Sequence, residues 1–235
     1  MIQYEKQYKK IVLNIQHASK LMTPLTCGWT DSNALQKHIN RWTDWKTDSL
    51  FTVKDERIIP VIAKWSKFMV DCEHQEDDPL EEIGQGIIYT KFEDCTRRPL
   101  AKFLQDALMD EYHKHINALK QELTPNSLLI DCHSFPSDLS DVDVCIGFNY
   151  DDWSTPDDKT VYTIKSVFED AGYRAEYNEP YGNSISPKTD FKYASVMINL
   201  NKRTYLDENT LQFIPDGRKK MKAAISECYK QLFKL

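Results

Sequence analysis

No stretch of this sequence stays apolar for long. The longest run, Ile58 to Ala63, is interrupted by Pro60, whereas a helical membrane span needs about 20 apolar residues. The Ile11–Ile15 run near the start is shorter than a signal-peptide core of roughly 7–15 residues, and the residues before it are polar. The expectation is a chain with no membrane partner that stays in the cytoplasm. Cysteine pairs are missing too. Cys27, Cys72, Cys95, Cys132, Cys145 and Cys228 stand singly, with no C-x-x-C spacing, which in a reducing compartment reads as free, mostly buried thiols. No block of lysine and arginine stands out, and the net charge is −6. Phosphate binding wants a basic face, so a nucleic-acid partner is not expected. Small anionic substrates stay open, because a pocket can be locally positive in an acidic protein. Gly84-Gln85-Gly86 has no third glycine and precedes a strand candidate, which removes a dinucleotide fingerprint. Ser19 and Ser134 lie in no nucleophile elbow.

What is present is a globular composition, 41% hydrophobic and 28% charged, without repeats or linkers. Residues 1–235 therefore read as one domain. Strand candidates alternate with helix candidates: Lys10–Gln16, Phe68–Cys72, Gly86–Thr90, Leu128–His133, Val142–Phe148, Tyr173–Tyr177 and Ser195–Asn201 against helices over about 33–41, 97–123, a segment opened by Ser154–Asp158 and closed by Gly172, and a last one from Asp216. In the long helix, Pro99 suits the first turn and Leu100, Phe103, Leu104, Ala107 and Leu108 share a face. This pattern predicts an α/β fold, a mostly parallel or mixed central sheet with helices on both faces. Sites in such sheets lie at the carboxyl ends of strands.

Two histidines occupy such ends: His17 follows the first strand and His133 closes Leu128–His133. Neutral imidazole suits zinc, and a hydrolytic zinc site wants three protein ligands and an open position. Singly, each reads more readily as a structural histidine than as a ligand. Asp44 and Asp48 sit among aromatics after the first helix, where caps and turns also place aspartates. His38, His74, His113 and His115 are weaker candidates. The last two form H-x-H on a helix, which points the rings to different faces.

The motifs NIQHAS (14–19), TDWKTDSLF (43–51), FMVDCE (68–73), GIIYTK (86–91), RRPL (97–100), LLIDCHSFPS (128–137), DVCIGF (143–148), NEPYGNSI (178–185) and VMINLNKRTYLDE (196–208) follow in order. Through them the chain resembles the N-formylglutamate amidohydrolase family, which is similar in fold to zinc carboxypeptidases. The resemblance implies hydrolysis of an N-formyl or N-acyl amino acid such as N-formylglutamate by zinc-activated water, with His17, Asp44 and His133 holding one divalent metal. In the carboxypeptidases the carboxylate ligand lies three residues after the first histidine. Lys20 stands there and cannot ligate, so Asp44, or else Asp48, supplies it. Asp131 is then a candidate for orienting a histidine.

Departures fall where the family works. The glutamate that resembles the general base is Asn199, which takes no proton. The arginines expected at the substrate carboxylates are Lys67 and His74, and the long-helix histidine corresponds to Ile116, with His115 beside it. Glu73 and Glu179 are alternative bases, although each also reads as a solvated loop carboxylate. Arg97, Arg98 and Lys202 are candidate contacts to a substrate carboxylate. Two functions follow: a zinc amidohydrolase with a rebuilt base, or a catalytically impaired member that binds metal or a small ligand without turnover.

Overall fold

A computed structural model describes residues 8–23, 28–182 and 186–235. Its centre is a six-stranded mixed sheet. β1 (Lys10–Ile15) and β5 (Ser127–Phe135) lie side by side, with β2 (Ile58–Ile62) at the edge beyond β1. β8 (Ala194–Asn201), β6 (Val144–Gly147) and β7 (Ala175–Tyr177) complete the order β2-β1-β5-β8-β6-β7. All neighbours run parallel except β6, which is antiparallel to β8. The α/β expectation holds, and the sheet is of the mixed kind. Two short hairpins, β3–β4 (Lys91–Phe92 with Cys95–Thr96) and β9–β10 (Leu206–Asp207 with Gln212–Phe213), lie outside it.

Alternation along the strands divides the core. Ile11, Leu13 and Ile15 of β1, with Leu128, Ile130 and Cys132 of β5, pack on one face against α4 (Asp158–Asp170) and α5 (Pro215–Leu232), through Ile164, Phe168, Ile225 and Cys228. α2 (Thr47–Phe51) adds Leu50 and Phe51 there. On the opposite face Val12 and Leu129 meet Leu119 of α3 (Lys102–Glu122). That second face turns polar along the strands: Asn14 follows Val12, while Asp131 and His133 follow Leu129. The register sets His133 beside Asn199. α1 (Ser32–Trp42), capped by Asp31 on the N–H groups of Asn33 and Ala34, leads to Asp44.

Several expectations need correction. Phe68–Cys72 is buried and Gly86–Thr90 mostly so, but neither is a strand. Apart from one rung, Asp71 N–H to the Ile87 carbonyl at 2.8 Å, their backbone bonds are turns, such as Val70 N–H to the Ser66 carbonyl and Thr90 N–H to the Gly84 carbonyl. Met69 N–H reaches Ser66, and Ile87 N–H bonds the Glu81 carboxylate. That carboxylate folds over Gly86, where an added Cβ would fall 2.0 Å from it. Ile58–Ile62 is a strand despite Pro60, because an edge strand has a side that needs no N–H donor. The long helix starts at Lys102, so Pro99 and Leu100 precede it. Its buried residues are Leu108, Tyr112, His115 and Leu119, while Phe103 is 70% exposed. The five described cysteines are free and buried, and Cys27 lies outside the described residues. No described helix is long and apolar enough to cross a membrane.

Candidate active site

β1, β5 and β8 are mutually parallel, so their carboxyl ends share one edge, and His17, His133 and Asn199 gather there. The turn after α1 brings in Asp44, whose N–H donates to the His17 carbonyl at 2.9 Å. A cavity of about 390 Å³ opens over them, walled also by Trp42, Lys67, Glu73, His74, Phe135 and Tyr181.

The two imidazoles meet edge to face, with centroids 5.0 Å apart. Asp44 Oδ2 lies 3.1 Å from His133 Nδ1 and 3.8 Å from His17 Nδ1. The opposite nitrogens face carboxylates that are fully buried. His17 Nε2–H donates to Asp71 Oδ1 at 2.7 Å, and His133 Nε2 lies 3.3 Å from Asp131 Oδ1. Zinc bond lengths place tetrahedral ligand atoms about 3.3 Å apart, and the Asp44 separations bracket that value. His17, Asp44 and His133 therefore fit a zinc ion, with Asp71 hydrogen-bonded to His17 from behind and Asp131 facing His133 Nε2 as a charge, not as a hydrogen-bond partner. A second grouping, His17 with Asp71 and Glu73, fits less well, since its 2.7 Å contact is a hydrogen bond. The same holds for His38, Asp94 and Cys95, where His38 and Asp94 are 2.6 Å apart.

The surrounding charges favour a cation. Burial by itself would raise the Asp44 carboxyl, but the hydrogen bond and charge of His133, with the charges of His17 and Lys202, hold it low. Asp71 is likewise held well below the ordinary range, His17 outweighing the opposing effect of burial. Burial would lower His133, yet Asp131, Glu73 and Asp44 hold it well above its usual value.

Behind the candidate ligands runs a buried relay. His115 Nε2–H donates to Asn14 Oδ1 at 2.8 Å, and Asn14 Nδ2–H donates to Asp131 Oδ1 at 3.0 Å. Tyr89 O–H donates to Asp71 Oδ2 at 2.5 Å. His113 instead bonds Glu76 on the surface, so the H-x-H rings do part. Ile116, where the resemblance placed a histidine, packs among apolar side chains. Asp71 stood in a quoted motif without a role. Tyr89 lay in GIIYTK, and only the fold brings it to Asp71.

The remaining candidates divide. Glu73 reaches in from a half-buried loop, its two carboxylate oxygens each 3.7 Å from an Nε2, one of His17 and one of His133. Asn199 lines the cavity with a buried Oδ1 that has no hydrogen-bond partner among the described residues. Lys67 and His74 also line it. Arg97, Arg98 and Lys202 do not. Arg97 is buried on the Met69 and Tyr89 carbonyls, Arg98 lines a separate cavity with it, and Lys202 is buried on the Arg41 carbonyl. Asp48 and Glu179 are exposed outside the cavity.

Residues 9–206 match the family model described as N-formylglutamate amidohydrolase. The fold is similar to the crystal structure of N-formylglutamate amidohydrolase from Ralstonia eutropha JMP134, with a TM-score of 0.80 at 16% identity, covering 98% of this chain and 94% of that one. It is also similar to a gene product of Agrobacterium tumefaciens, with a TM-score of 0.62 at 16% identity, covering 94% and 92%. No curated protein matches the sequence.

Proposed function

The chain belongs to the N-formylglutamate amidohydrolase family, and from that premise we propose that it is a zinc-dependent hydrolase of the amide bond in an N-formyl or N-acyl amino acid. One observation carries the zinc reading. Two imidazole Nδ1 atoms and a carboxylate converge at the floor of a cavity, with both rings backed by buried carboxylates. Bound there, zinc would lower the pKa of a water toward about 7 and polarise the substrate carbonyl.

The chain's own groups do the rest. Glu73 is the proton carrier: its carboxylate, which lines the cavity beside the two Nε2 atoms, turns toward the attacking water, takes its proton and returns it to the nitrogen as the C–N bond breaks. The products are a free carboxylate and an amine. Asn199 accepts no proton, but its unpartnered Oδ1 is placed to receive an N–H, such as that of the substrate amide. Trp42, whose indole N–H is also buried without a partner, offers a donor on the same wall.

Metal content of the purified protein tests this reading. About one zinc per chain is expected, lost in His17→Ala and in His133→Ala, with amide hydrolysis that a chelator abolishes and zinc restores. A protein that takes up no zinc would overturn it. Asn199 favours a second reading, an impaired member that binds a ligand without turnover; zinc uptake with no hydrolysis across N-formyl and N-acyl amino acids would select it.

A further inference from the structure

N-formylglutamate carries two carboxylates, and a site that binds it well needs two cationic partners or their equivalent. The cavity supplies fewer. Lys67 is its one ammonium, and it makes no hydrogen bond or ion pair among the described residues. His74, the other cationic candidate, is already engaged: Nδ1 sits 2.8 Å from Asp78, and Nε2 lies 3.4 Å from the Tyr89 hydroxyl. Arg97 and Lys202 are held on backbone carbonyls, and Arg41 pairs with Asp138.

The rest of the wall is apolar, acidic or uncharged, with Ser134, Asn199 and the Trp42 indole as its neutral polar groups. Phe135 and Met197 are buried in the floor, with Tyr181 edge-on to Phe135. Trp42 forms a side, and Leu80, 40% exposed, stands among the lining residues. The nearby carboxylates are Asp44 and Glu73. A glutamyl side chain placed here would bring its second carboxylate against hydrocarbon, against these acids or against uncharged groups, with no second ammonium or guanidinium among the lining residues. An aliphatic or aromatic side chain would instead remove apolar surface from water.

We infer that this site takes an N-acyl derivative of an amino acid with a single carboxylate and an apolar side chain, with Lys67 receiving that carboxylate. The inference rests on the hydrolase reading of the same cavity and narrows its substrate. The discrimination is a hydrophobic pocket against an unpaired charge, worth about tenfold or more.

The test compares N-formyl-leucine, N-formyl-phenylalanine and N-formylglutamate on the zinc-loaded protein. The expected result is a kcat/KM about tenfold or more higher for the apolar pair. Lys67→Met should raise KM for N-formyl-leucine more than for N-formyl-leucinamide, which has no carboxylate. Higher kcat/KM for N-formylglutamate would overturn the inference and leave the hydrolase reading standing. If nothing turns over, calorimetric titration of the same compounds decides it. Tighter binding of N-formyl-leucine than of N-formylglutamate supports the inference; equal binding, the reverse order or no binding overturns it.

Discussion

Asp71→Asn removes a charge from behind His17 while leaving the shape of the site intact. Asp71 is fully buried and accepts from His17 Nε2 at 2.7 Å, from Tyr89 at 2.5 Å and from the Glu73 N–H at 3.0 Å. Asparagine at the same place keeps one oxygen for His17, and its amide N–H can donate to the Tyr89 oxygen, which accepts as readily as it donates. The fold should survive. What disappears is the negative charge that makes the imidazole a stronger ligand. Replacing such a partner typically costs 10–100-fold in metal affinity, or about 1.4–2.8 kcal/mol. Asp131→Asn should cost less, because Asp131 lies farther from its histidine, at 3.3 Å, and shares Oδ1 with Asn14. The assay is zinc dissociation measured by competition with a chelator of known affinity. The melting temperature of the metal-free protein serves as the control for folding. An Asp71→Asn protein that melts normally and binds zinc as tightly as the wild type would refute the assignment of Asp71 to His17, and with it the choice of Nδ1 as the ligating atom.

Two further perturbations bear on stability. The Lys202 ammonium is pushed down to about 8 by burial, against the opposing charges of Asp44 and Glu208. Between about pH 8 and the unfolded lysine value near 10.4, the unfolded chain holds a proton that the folded chain lacks, so stability from this group rises with pH. Lys202→Met should flatten that rise, by about 2 kcal/mol between pH 7.5 and 9.5, as read from denaturant midpoints over that range; an unchanged slope would contradict it. Asn14→Leu leaves both Asp131 and His115 short of a partner. At about 1–3 kcal/mol for each orphaned buried group, melting should fall steeply, and adding His115→Leu should recover part of the loss. Purely additive losses would show that the relay is not a unit.

The sheet was legible because its strands carry their own periodicity. Leu128–His133 reads as a buried strand on its apolar run alone, and the carboxyl-end rule then marks His133 and His17. Asp44 was different: its position after α1 favours a cap or turn, and only the family resemblance pointed to a ligand in advance of any distance. Pro60 hid β2, because a proline breaks the ladder everywhere except on the outer edge, and edge position is a property of topology. Phe68–Cys72 and Gly86–Thr90 look like strands by composition, but burial rather than pairing explains their apolar residues. Arg97 and Lys202 were read as substrate contacts from charge and neighbourhood. Their burial on backbone carbonyls shows a cation used to satisfy chain oxygens, which no local pattern reveals. Asn14 and His115 are 101 residues apart, so a hydrogen bond between them is invisible without the fold.

Asn199→Glu separates a rebuilt site from a decayed one. Asn199 is the cross-strand neighbour of His133 on one side and of Cys145 on the other, and it is buried with its Oδ1 unpartnered. A glutamate there restores the residue type that the family pattern carries at this position. If Glu73 is the working base, the new carboxylate competes with it: Asp44, Asp131 and Glu73 already crowd the two histidines, and another negative charge among them is repelled or draws the metal out of place. No gain in kcat/KM, or a loss, is then expected from Asn199→Glu, while Glu73→Gln lowers kcat about 10²–10⁴-fold with zinc content unchanged. The opposite pair of results, a gain of that size from Asn199→Glu and indifference to Glu73→Gln, would mean that the base was lost from β8 and never replaced. Zinc content measured on both variants keeps the reading clean, because a change in metal binding alone would lower activity in either one without touching proton transfer.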